Sequence, residues 1–219
     1  MSARSEPGVE TLEREWWARL PRLLTAPAEV FRRLADESRE AADERQEPLV
    51  AVTFLAGIPM FLSLVSLQPP YDRYTSFSEL DLVLQTIIGA GLVGLSNFWL
   101  GGFLVYLGAR GLGALTGFRL GRHLAGLATA PFVVELVLVW PVRLALYGGD
   151  LFRSGGADEG TGGDVFRGID ALFLLWAVVL VLVGIRSTQR WTWRRSGAAV
   201  GVAALFAVLV GTFVFAVSR

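Results

Sequence analysis

Five apolar runs, at about residues 49–67, 82–107, 122–146, 169–185 and 198–217, constrain this chain more than any other feature. Crossing the hydrocarbon of a bilayer as a helix takes roughly 17–25 residues, and each run is long enough. Lipid offers no partner to a backbone amide, so in such runs only a helix pairs every N–H and C=O. The expected fold class is therefore all-α: a polytopic membrane protein with five transmembrane helices behind a short amphipathic N-terminal helical segment. Two parts follow from this reading, a cytoplasmic N-terminal segment (1–47) and a five-helix transmembrane domain (48–219). The composition agrees, with 53% of the 219 residues hydrophobic and 18% charged. A soluble domain of this size seldom divides its apolar residues into separate runs of spanning length.

Formal net charge is zero, but the charges are segregated. Arg is dense before the first run, between the second and third (Arg110, Arg119, Arg122) and between the fourth and fifth (Arg186, Arg190, Arg194, Arg195). The other two loops are acidic, with Asp72, Glu79 and Asp81 in one and Asp150, Asp158, Glu159 and Asp164 in the other. Arg-rich loops stay in the cytoplasm, so the N-terminus is expected inside and the C-terminus outside. Trp191 and Trp193 fall where a cytoplasmic aromatic belt would lie. No apolar run occupies the first 30 residues, so no cleavable signal peptide is expected and the first span directs insertion. All twenty basic residues are Arg, which together with abundant Ala, Gly, Val and Leu suggests a GC-rich prokaryotic genome. The expected location is a prokaryotic cytoplasmic membrane. Without a basic excess, nucleic acid is not an expected partner. With no cysteine there is no thiolate chemistry, and neither a metal nor a cofactor is expected.

The third run, RHLAGLATAPFVVELVLVWPVRLAL, is expected to be central. It holds Glu135, the one carboxylate well inside an apolar run. An ionised carboxylate facing lipid is costly, so Glu135 has to turn into the bundle and find a partner. Gly121, Ala128 and Pro131 share its face and let another helix come close. By helical rise Glu135 lies about 20 Å from the cytoplasmic edge and Asn97 of the second run about 15 Å, so the two could meet. Arg143, near the outer end, is a second candidate partner, able to snorkel. Pro131 frees the carbonyl of Leu127 and Pro141 that of Val137, so two kinks are expected in this helix.

Several motifs are set aside. Gly89-Ala-Gly91-Leu-Val-Gly94 has the dinucleotide-binding spacing, but it lies inside a span and no acid follows before Glu135. Gly89 and Gly94 are read as helix-packing positions, as are Gly121 and the Gly197–Gly201 pair of the fifth run. Ser96 and His123, the lone histidine, are expected at different depths, which argues against a serine hydrolase. The acids of the Gly-rich loop around 148–168 lack EF-hand spacing and read as solvated linker.

Ahead of the membrane, Leu12, Trp16, Leu20 and Leu23 recur at helical spacing, with Trp17 beside them, and Pro21 is expected to break the pattern. A second short helix holds Val30, Phe31 and Leu34. Trp and Arg flanking a first span fit an amphipathic segment on the bilayer surface. Trp16, Trp17, Val30 and Phe31 are the candidate interfacial or partner surface. The other reading is a small helical cap packed on itself or on a partner.

Three stretches resemble the Yip family (Ypt-interacting proteins), over residues 20–217. They are Leu24-Thr-Ala-Pro27-Ala-Glu-Val30-Phe31-Arg-Arg-Leu34 leading to Pro48, Gly126-Leu-Ala-Thr-Ala-Pro131 in the third run, and Gly184-Ile-Arg186 entering the Arg-rich turn. Leu127 stands where the family often has an aromatic, and the acidic aromatic stretch of many eukaryotic members is absent. The resemblance implies five spans, a cytoplasmic N-terminus and no catalytic residues. In eukaryotes it implies binding of prenylated Rab-type GTPases in traffic between endoplasmic reticulum and Golgi, which does not carry over to a prokaryotic member. The expected function is a non-enzymatic membrane scaffold that recruits partners. Those partners are the lipid bilayer and an unidentified protein, a second copy of the chain included. The alternative is a small permease or exporter component using Glu135 and Asn97.

Overall fold

The computed structural model describes residues 20–34, 46–67, 79–114, 117–153, 156 and 160–217. Five helical stretches among them are long and apolar enough to cross a membrane. The first is α2 (Gln46–Leu67), preceded by a short helix, α1 (Pro27–Arg33). The second joins α3 (Glu79–Ser96), a π-helical turn (Asn97–Gly101) and α4 (Gly102–Gly111). The third is broken into α5 (Phe118–Ala128), α6 (Ala130–Leu138) and α7 (Trp140–Tyr147), ending in a 3-10 turn (Gly148–Phe152). The fourth is α8 (Thr161–Gln189) and the fifth α9 (Trp193–Val217). The helices overrun the apolar runs, because a helix can continue into water once polar residues begin.

The surface bears out the membrane reading. Ile87, Ile88, Leu92, Leu174 and Leu175 are each more than half exposed, on helices that also carry the core. Apolar surface on this scale is stable against lipid, not water.

The third span is the hub. Its most apolar window is 56% buried, against 17–39% for the other four. It packs on the first span through α6, on the second through α5 and on the fourth through both. Both expected kinks are present. The helix breaks at Thr129 and at Val139, each two residues before a proline. The proline ring excludes the normal helical bond one turn back, and the chain tightens instead. Thr129 stabilises its break by donating its hydroxyl to the Gly126 carbonyl at 2.7 Å.

Glycines set the closest helix approaches. A Cβ on Gly121 would lie 2.6 Å from the Gly102 carbonyl oxygen, and one on Gly94 2.6 Å from that of Thr53. Gly89 faces the Phe61 ring so closely that any side chain would collide with it. All three sit in close helix contacts. At Gly197 and Gly201 a Cβ would meet nothing within 4 Å among the described residues. The fifth helix turns a different register inward, with Ser196, Ala199 and Ala203 buried. Gly108 of α4 sits directly on the Ala199 carbonyl, so the glycine of this contact comes from α4.

The N-terminal segment also departs from expectation. Residues 20–25 are helical with Pro21 in the first described turn, and the helix is interrupted at Ala26; the residues before Leu20, on which the expected break at Pro21 depends, lie outside the described residues. Ala26 has φ −137° and ψ 56°, as suits a residue that Pro27 keeps out of the helical region. Val30 and Phe31 do not face outward. They are 4% and 0% exposed, in one core with Leu23, Leu34, Leu49, Leu180 and Ile185. α1 docks on α8, and an apolar stripe on so short a helix is best satisfied by the protein's own core. Trp16 and Trp17 lie outside the described residues.

Candidate functional site

A polar cluster lies inside the bundle, around Glu135. This side chain is 1% exposed. Trp140 donates its indole N–H to Glu135 Oε1 at 3.3 Å. The pair is five residues apart, which on an unbroken helix puts side chains about 140° apart around the axis. The two residues stand on either side of the break at Val139. Oε2 of Glu135 has no hydrogen-bond partner.

Arg143, on α7, reaches across to other helices. Its guanidinium is 3.2 Å from Asp170 Oδ2 on α8 and donates to the Ser66 hydroxyl on α2 at 3.1 Å. It also lies 4.9 Å from the Trp140 ring centre and 5.6 Å from that of Phe166, in the range of cation–π attraction. Arg143 is 3% exposed, so it does not snorkel outward as an isolated Arg would. It ties the third, fourth and first spans together. The Asp170 carboxyl lies within hydrogen-bond reach of the Glu135 carboxyl, and no N–H or hydroxyl donates to its Oδ1.

Over this cluster runs a groove of about 840 Å³, walled by Leu64, Leu92, Leu100, Leu104 and Leu174. Ser63, Ser96, Asn97, Glu135 and Asp170 contribute to its lining. It opens between the first two spans and the fourth, with Phe132 and Glu135 of the third behind. Asn97 and Glu135 therefore meet the same groove, but the expected bond between them is not made, since Glu135 is held by Trp140. Asn97 opens the π turn, and its side-chain amide oxygen lies 3.0 Å from where a Gly101 Cβ would sit. Arg143 is near Glu135 but directs its hydrogen bonds to Asp170 and Ser66. His123 is buried on α5 and does not line the groove that Ser96 lines.

Sequence reasoning missed Asp170, which falls at the edge of the fourth apolar run. A signal was present. Asp170, Ala177 and Gly184 are spaced by seven, and Ala177 and Gly184 are buried along one stripe of α8. A carboxylate in line with small inward residues points into the bundle.

A family model, the Yip1 domain, matches residues 22–215. The chain belongs to the Yip1 family. No curated protein and no solved structure matches it. Membership accounts for the helical, five-span membrane architecture of this Yip1 protein, and it does not favour the permease reading. The matched range begins within the N-terminal segment at residue 22, ahead of α1. The α1 docking helix is thus part of the Yip1 domain.

Proposed function

We propose that this Yip1-family protein is a non-enzymatic scaffold that gathers protein partners on the cytoplasmic face of a prokaryotic membrane. One observation carries the reading. The pre-membrane helix is clamped to the end of the bundle where the Arg-rich turns meet. Leu20, Leu24 and Trp191 pack around the core that holds Phe31 and Ile185. Arg195 bonds the Leu112 carbonyl and stacks 4.1 Å from the Trp191 ring centre, joining two of those turns. Arg22, Arg32, Arg33, Arg190 and Arg194 remain exposed. A rigid basic end of this kind suits anionic lipid headgroups and an acidic protein surface. The Arg-rich, inside-positive pattern supports a cytoplasmic N-terminus and an external C-terminus.

The test is photo-cross-linking in cells of the full chain, of a variant lacking residues 2–19, and of Trp16→Ala/Trp17→Ala. The scaffold reading expects both variants to insert normally and to lose the adducts of the full chain. If both keep every adduct, the partner surface does not include this segment. If an Arg22→Ala/Arg32→Ala/Arg33→Ala variant keeps them too, the reading fails.

A further inference from the structure

The groove over Glu135 and Asp170 has the makings of a ligand site that the scaffold reading does not use. Its volume of about 840 Å³ lies within the range of small-molecule pockets, roughly 300–1,000 Å³. It opens sideways, between helices whose outer faces are lipid-facing, so what enters comes from the bilayer. The leucine walls suit a hydrocarbon chain.

The polar floor decides what the head of that molecule must be. Two carboxyl groups, Glu135 and Asp170, face one guanidinium, Arg143. Arg167, at the groove's edge, is paired with Asp164 at 3.2 Å. One negative charge is therefore unmatched when both acids are ionised. The atoms concerned are also identifiable: Glu135 Oε2 and Asp170 Oδ1 are buried and receive no N–H or hydroxyl hydrogen bond, the two carboxyls facing each other within hydrogen-bond reach. A buried acceptor without a donor is costly, so the site favours a group that brings N–H bonds with its positive charge. A quaternary ammonium has the charge and no N–H. An alcohol has a donor and no charge.

We propose that this groove binds an amphiphile with a single hydrocarbon chain and a primary ammonium head, the chain lying on the leucine wall and the head donating to Asp170 and Glu135. Asp170 is the outer of the two, with 22% of its side chain exposed, and it meets the head first. Glu135 lies behind it, held by Trp140.

The experiment uses the full chain in a neutral maltoside detergent at roughly pH 8, where an alkylamine is still protonated. Unfolding midpoints are followed during titration with dodecylamine, dodecyltrimethylammonium and dodecanol. Dodecylamine is expected to raise the midpoint by several degrees and to saturate, as selective binding to the folded state requires. The other two should act roughly tenfold more weakly or not at all. Glu135→Gln and Ala171→Leu, the second of which fills the groove wall, should each remove the dodecylamine response while leaving a cooperative transition. Asp170→Asn is expected to do the same, and the first two variants decide the matter if it does not fold. An equal response to the quaternary amine would overturn the proposal, as would a full response in Glu135→Gln or Ala171→Leu. A wild-type protein indifferent to dodecylamine but stabilised by Glu135→Gln would also overturn it, since the pair would then hold only a proton.

Discussion

Replacing Arg143 by Met would remove the cation that faces the buried Glu135 and the half-buried Asp170. Asp170 and Ser66 would lose their partner in a region that water reaches poorly. Breaking one side of a buried ion pair costs about 3–5 kcal/mol, and the thermal midpoint in detergent is expected to fall accordingly. Glu135→Gln acts in the opposite sense. The amide oxygen still accepts from Trp140, and the new N–H group can donate to Asp170. This variant is expected to unfold at the same temperature as the wild type or higher. Arg190 is a different kind of residue-scale feature. It ends α8 in the left-handed region, with φ 53° and ψ 36°. A side chain there costs about 1–2 kcal/mol relative to glycine, so Arg190→Gly is expected to raise the midpoint. Calorimetry of the three purified variants checks all of this.

Among the elements, the glycines divide into those that a helix needs and those it merely contains. A Cβ on Gly102 would lie 2.5 Å from Arg122 Cα, against backbone that cannot move aside. Gly102→Val therefore forces α4 away from α5, with an expected loss of about 1–3 kcal/mol or more. Gly201 faces open space on α9, so Gly201→Ala should gain up to about 1 kcal/mol from helix propensity alone. Opposite signs for these two substitutions in chemical unfolding would confirm that Gly102 sits in a helix contact and that Gly201 faces outward on the fifth helix. Their spacing does not reveal this, because every glycine on a helix looks alike until its neighbour is known. The breaks in the third span were legible, since proline acts on its own helix one turn back. One contact across them was not. The Trp140 indole meets Glu135 five residues back, a contact that regular helical spacing does not suggest.

At the scale of the molecule, the N-terminal segment is part of the fold rather than an appendage. Leu23, Phe31 and Leu34 are fully buried in a core shared with the first, third and fourth spans. Removing residues 2–19 is expected to leave a cooperative unfolding transition in place. Removing residues 2–34 would open that core and is expected to abolish the monodisperse species on size-exclusion chromatography. The same full chain, tagged at both ends, should expose the tags on opposite sides of the membrane. Five crossings require it, and accessibility of both tags from one side would refute the count.

The medium, the number of apolar spans and the places where the third helix breaks are legible in the residues alone. Each of these depends on one segment meeting lipid or on one proline meeting its own helix, and such demands are met within a stretch of chain. Only the tertiary structure decided that Arg143 would serve Asp170 and Ser66, that Val30 and Phe31 would go inward, and that Ser196, Ala199 and Ala203 would carry the packing of the fifth helix. Those outcomes depend on how helices are rotated and tilted against one another. That geometry belongs to pairs of segments far apart in the chain, so no single stretch records it.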